Sequence, residues 1–138
     1  MTKLHISQTE ENYLKAIFKL YERMGKAVST NSIAQEMKTA PASVTDMFNR
    51  LNKKELIKYE KRKGATLTKA GTQIATGLIR RHRLWEVFLL EKLDFSWDEV
   101  HELAEQLEHI KSEKLVNQLD AFLGYVLFVF VLHDRADV

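Results

Sequence analysis

The chain of 138 residues has no cysteine. That excludes disulfide frameworks, thiolate zinc sites, iron–sulfur clusters and cysteine nucleophiles. One proline and five glycines leave little room for long loops, so regular structure has to fill most of the chain. The longest apolar run, Tyr125–Leu132, has eight residues, far fewer than the roughly 20 that a membrane helix needs. The first twenty residues mix polar and apolar types, so no secretory leader is expected. Internal repeats and low-complexity segments are absent too. A soluble, cytoplasmic protein with no membrane partner is the expectation. Hydrophobic residues make up 45% and charged residues 29%, a globular composition on a chain long enough to bury a core.

The net charge of +2 hides a strong asymmetry. Residues 1–83 carry 17 Lys/Arg against 7 Asp/Glu, whereas residues 84–138 carry 4 against 12. A basic half suited to a polyanion is joined to an acidic half with another task.

Apolar spacing predicts a helix over Thr9–Met24, built on Tyr13, Ile17, Leu20 and Tyr21 and stopped by Gly25. Ser29-Thr30-Asn31 supplies caps for a short helix carrying Ile33, Ala34 and Met37. Pro41 suits the first position of a third helix, which puts Val44, Met47, Phe48 and Leu51 on one face and runs to about Lys54. The period then changes. Leu56–Glu60 and Ala65–Thr68 flank Lys61-Arg62-Lys63-Gly64 as a β-hairpin. A long helix is expected from about Lys69 to Leu90. Ser96-Trp97-Asp98-Glu99 reads as a capping box for a helix to about Ile110, and Ser112 as the cap of a last helix ending at Gly124.

Three helices and a hairpin in that order predict a winged helix-turn-helix, so the fold class is mainly α. The polar start of the third helix would enter a DNA major groove, with Ala42, Ser43, Thr45, Asp46 and Asn49 facing bases or phosphates. Arg50, Lys53 and Lys54 would reach the backbone, and Lys61, Arg62 and Lys63 would grip it from the wing.

The acidic half carries a cation-ligand pattern. At about 100° per residue, His101, Glu105, Glu108 and His109 fall within roughly a 100° sector of one helix. Val100, Leu103, Leu107 and Ile110 lie opposite. His82 and Glu86, four apart on the preceding helix, also share a face. Imidazoles and carboxylates converging in this way form a nitrogen/oxygen donor set for a divalent cation. A zinc hydrolase would need His-Glu-x-x-His, but Glu105 stands where the second His belongs. Ser-His-Asp and phosphate-loop patterns are absent as well. Catalysis, and hence a small-molecule substrate, is not expected. A winged-helix regulator of the MarR type, answering to a small ligand and not to a metal, is the alternative.

Five segments resemble the DtxR/MntR family of metal-dependent transcriptional repressors. They are Glu11-Asn12-Tyr13-Leu14, Pro41–Met47, Leu67-Thr68-Lys69-Ala70-Gly71, Arg81–Leu89 and Val100–His109, within a match over about residues 7–124. The resemblance implies two neighbouring cation sites. The ancillary type would fall on His82, Glu86 and His101. The primary type would fall on Asn12, Glu105, Glu108 and His109, with Asn12 offering a carbonyl oxygen. In the two-domain manganese branch the counterpart of His82 joins that second cluster. Glu105 stands where iron-responsive members have Cys, which makes the set harder and favours Mn²⁺, with Fe²⁺ second. The resemblance further implies residues 1–70 as the DNA-binding domain and 71–124 as the metal-binding and dimerisation domain, with 125–138 as an apolar tail. A homodimer would hold its recognition helices about 34 Å apart on operator DNA and repress metal-homeostasis genes. Two departures stand out: Asn12 and Lys15 stand where the short manganese branch has acidic ligands, and the apolar run Tyr125–Leu132 follows the dimerisation helices where longer members continue toward a third domain.

Overall fold

The computed structural model describes residues 5–124. The expected apolar tail lies outside the described residues. In chain order the elements are α1 (Gln8–Met24), α2 (Thr30–Met37), α3 (Pro41–Lys53), β1 (Ile57–Glu60), β2 (Gly64–Leu67), α4 (Lys69–Glu91), α5 (Trp97–Leu107) and α6 (Glu113–Phe122). The fold is mainly α, a winged helix-turn-helix followed by helices, as the periodicity predicts. The chain divides within α4 into two compact units, Met1–Thr76 and Gly77–Val138. No helix among the described residues is long and apolar enough to cross a membrane.

In the first unit α1 begins at a reciprocal cap. The Ser7 hydroxyl accepts from the Glu10 N–H at 3.1 Å, and the Glu10 carboxylate accepts from the Ser7 N–H at 3.0 Å. This satisfies two of the donors that a helix start leaves open. The helix ends at Gly25 in the left-handed region (φ 69°), where a side chain would be strained. Leu14 and Ile17 of α1, Ile33 of α2, and Val44, Phe48 and Leu51 of α3 are fully buried in one core with Val28 and Leu56. The wing closes on that core. β1 and β2 pair antiparallel from Ile57 opposite Leu67 to Glu60 opposite Gly64, and Val28 bridges to Ala65 from outside the hairpin. Gly64 therefore belongs to the strand rather than to the tip. At φ +104°, a Cβ there would meet the Val28 carbonyl oxygen at 2.5 Å, so only glycine fits. The wing is tied to α3 by the Tyr59 N–H donating to Asn52 Oδ1 at 3.0 Å, and by an edge-on Phe48–Tyr59 contact.

Lys54, expected to face DNA, is drawn inward. Its ammonium donates to Glu10 Oε2 at 2.7 Å and to the His5 carbonyl at 3.0 Å, which ties the end of α3 to the start of α1. Burial of Glu10 by itself raises the carboxyl pKa, but the Lys54 hydrogen bond, the Ser7 N–H and the Lys54 charge together hold it below its usual value.

In the second unit Leu84 and Val87 of α4 pack with Val116, Leu119 and Leu123, flanked by Trp85 and Phe88. The Arg80 guanidinium meets Asp120 of α6 at 3.1 Å. Ser96 and Glu99 form the expected capping box, and Ser112 caps α6. One expectation needs correction: α5 stops at Leu107 instead of Ile110. Arg81 Nε donates to the Glu108 carbonyl oxygen at 2.6 Å, satisfying one of the carbonyls that a helix end leaves open.

Replacing Lys54 with Met leaves a buried carboxylate without its cation, at a cost of about 1–2 kcal/mol. A depressed folded-state pKa stabilises above the unfolded value and loses that effect as pH falls through the folded one. Urea midpoints of the wild type and Lys54→Met should therefore differ at neutral pH. They should converge in acid below the ordinary glutamate value of 4.5.

Candidate metal centre and DNA-facing surface

Two helices build the candidate metal centre, each contributing an i, i+4 pair. On α4, His82 Nε2 lies 3.2 Å from Glu86 Oε1. On α5, His101 Nε2 lies 3.0 Å from Glu105 Oε1. Across the helices His101 Nδ1 approaches Glu86 Oε2 at 3.9 Å, and the two imidazoles meet edge-on with centroids 5.0 Å apart. One donor atom each from His82, Glu86 and His101 lies within 4.8 Å of the other two. Donors about 2.1 Å from one ion stand about 3–4 Å apart, so the trio is close to the spread that one cation imposes. Two imidazole nitrogens and a carboxylate suit a first-row divalent ion. The side chains of His82 and Glu86 are 7% and 15% exposed, that of His101 61%.

The residues expected at the second site differ in burial. Glu108 continues the buried line of Val100 and Ala104, whereas Glu105 is exposed. Glu108 Oε2 approaches His82 Nδ1 at 3.6 Å, so both carboxylates stand against histidines of the trio. His109 follows the end of α5 and is half-buried, and Asn12 is half-buried on α1 of the first unit. Arg81, which holds the Glu108 carbonyl, had no role in the sequence reading. No local pattern marks it, because its partner is 27 residues away.

On α3 the apolar face is consumed by the core, leaving Ala42, Ser43, Asp46, Asn49, Arg50 and Lys53 exposed. Thr45 is half-buried, and its hydroxyl donates to the Pro41 carbonyl at 3.1 Å. At the wing tip Lys61, Arg62 and Lys63 are exposed. The 3.6 Å Lys63–Glu60 pair is exposed as well and of little energetic weight.

Comparison with known proteins identifies this combination. Residues 5–65 match the family model described as the iron dependent repressor N-terminal DNA binding domain. Residues 68–128 match the iron dependent repressor metal binding and dimerisation domain. The transcriptional regulator MntR of Listeria welshimeri is 35% identical over 126 residues, covering 91% of this chain and 84% of that protein. The chain belongs to the DtxR/MntR family of metal-dependent transcriptional repressors. Members of the DtxR/MntR family are regulators, not enzymes, which removes the hydrolase alternative. Two solved structures are similar over 84% of this chain. The manganese regulator SloR is 42% identical with a TM-score of 0.73. A manganese-dependent transcriptional repressor in complex with manganese is 35% identical with a TM-score of 0.75. This DtxR/MntR-family chain spans about half the length of those two proteins, 54% and 53%.

Glu86 offers one oxygen to each histidine of the trio, so Glu86→Gln should weaken divalent-cation binding at this centre at least about tenfold. Isothermal titration with Mn²⁺ checks this, with circular dichroism confirming the fold.

Proposed function

We propose that the chain is a cation-gated repressor that binds operator DNA as a homodimer when loaded with Mn²⁺, with Fe²⁺ as the second choice, and controls metal-homeostasis genes. The observation that carries this reading is the His82–Glu86–His101 centre on a chain that also presents an exposed recognition helix and a basic wing. The hard oxygen character that Glu86, Glu105 and Glu108 lend to the centre favours Mn²⁺, and two similar structures are of manganese regulators.

Residues 1–70 act as the DNA-binding domain, and 71–124 as the metal-binding and dimerisation domain. His82, Glu86 and His101 hold one ion. Asn12, Glu105, Glu108 and His109 are the proposed set for a second. A bound cation supplies positive charge among carboxylates that otherwise repel. The chain's own contribution is placement, with α4 and α5 presenting one His and one Glu each at helical spacing. Metal needs only to favour the DNA-competent arrangement by a few kcal/mol to shift the population. Ala42, Ser43, Thr45, Asp46 and Asn49 face the major groove, while Arg50, Lys53, Lys61, Arg62 and Lys63 neutralise phosphates.

The test is operator selection from random duplexes with and without Mn²⁺, followed by fluorescence anisotropy on the selected site. Binding that appears with Mn²⁺ and is lost in His101→Ala supports the reading. Equal binding without metal, unaffected by the same substitution, would replace it with a ligand-responsive winged-helix regulator of the MarR type. Removing the three wing charges of each protomer (Lys61→Ala/Arg62→Ala/Lys63→Ala), six in the homodimer, should lower the slope of log affinity against log salt by up to roughly 5, at about 0.9 per phosphate contact.

A further inference from the structure

The metal centre has one loose member. His82 and Glu86 are held by burial, but the His101 side chain is 61% exposed. An exposed imidazole samples several rotamers, and a donor that must be frozen on binding lowers affinity by the entropy lost. One restraint is the edge-on contact with His82 at 5.0 Å between centroids. A half-turn of the ring about its Cβ–Cγ bond keeps the ring in the same plane and on the same side of its neighbour. A half-turn would nevertheless carry Nδ1 away from Glu86 and put a carbon in its place. The contact that distinguishes the two orientations is on the far edge, where Nε2 meets Glu105 Oε1 at 3.0 Å. Glu105 is one helical turn beyond His101 on the same element, so α5 itself supplies the restraint.

His82 repeats the arrangement. Its Nε2 faces Glu86 at 3.2 Å and its Nδ1 faces Glu108 at 3.6 Å. Each histidine of the centre thus has Glu86 on one nitrogen and a further carboxylate behind the other. Carboxylates behind metal-binding imidazoles fix the tautomer and the ring orientation, and their removal typically costs 10–100-fold in affinity.

We infer that Glu105 is a positioning residue of the His82–Glu86–His101 centre, holding the Nε2 edge of His101 so that Nδ1 stays turned toward Glu86. This rests on the cation-binding reading above, and it gives Glu105 a task that does not depend on ligating a second ion. The proton of the neutral His101 ring then resides on Nε2, leaving the Nδ1 lone pair free for the cation.

Glu105→Ala on the full chain tests this, with Glu105→Gln as the variant that keeps a neutral acceptor at the same reach. The first readout needs no metal: imidazole nitrogen–proton correlation spectra of the neutral His101 ring. The wild type should show mainly the Nε2–H form, Glu105→Ala a mixture, and Glu105→Gln an intermediate pattern. The second is Mn²⁺ affinity at the centre, identified as the binding lost in Glu86→Gln, which should fall 10–100-fold in Glu105→Ala and less in Glu105→Gln. Circular dichroism verifies the fold, which an exposed helical position should keep with alanine. An unchanged tautomer, or an altered tautomer with affinity within twofold of the wild type, overturns the inference. So does loss of one whole ion with the remaining affinity unchanged, which would make Glu105 a ligand only. If the wild type bound no Mn²⁺, the proposed function would fail, while the metal-free spectra would still decide whether Glu105 holds the ring.

Discussion

A single buried imidazole faced by two carboxylates is the constraint around which the second unit is organised. His82 has Glu86 at 3.2 Å on one nitrogen and Glu108 at 3.6 Å on the other, and the Glu108 side chain is only 1% exposed. A neutral imidazole has one N–H to donate, and carboxylates taken out of water are costly unless their charge is answered. Arg81 donates to the Glu108 carbonyl just past the end of α5.

The first unit solves a different problem, presenting a helix outward while anchoring it from behind. Val44, Phe48 and Leu51 commit one face of α3 to the core, Asn52 binds the wing backbone, and Lys54 clamps the helix end to α1 through Glu10. The opposite face keeps short polar side chains near the start and basic ones near the end. Gly71 shows how closely α4 begins against the wing's root. A Cβ there would collide with the Leu56 carbonyl, and Thr68 caps the helix start by accepting from the Gly71 N–H at 3.1 Å while donating to the Glu55 carbonyl at 2.8 Å. Thr68 and Gly71 of the Leu67–Gly71 segment thus serve capping and close packing.

Much of this was legible along the chain because it is local. Apolar spacing, the serine caps at 29, 96 and 112, the proline at the start of α3 and the hairpin's change of period are all short-range signals, and the helices and wing follow them. The pairs His82/Glu86 and His101/Glu105 were equally legible, since i, i+4 spacing places two side chains on one face whatever else surrounds the helix. Long-range effects were not. The helical wheel put Glu105, Glu108 and His109 on one stripe, but it could not show that α5 ends one turn earlier or that Glu108 is buried in line with Val100 and Ala104.

The sequence by itself determined the order of elements, the exposed basic surfaces and the types of donor available, because periodicity, capping and charge act within a few residues. Tertiary structure alone decided which donors meet across helices. Glu86 reaches His101 only because α4 and α5 pack so that residues 15 apart in the chain come within 3.9 Å. Lys54 is withdrawn from the DNA-facing set because Glu10, 44 residues away, is buried beneath it. The physical reason is the same in both cases: a charged side chain takes the partner that packing brings to it, and packing is a property of the whole core.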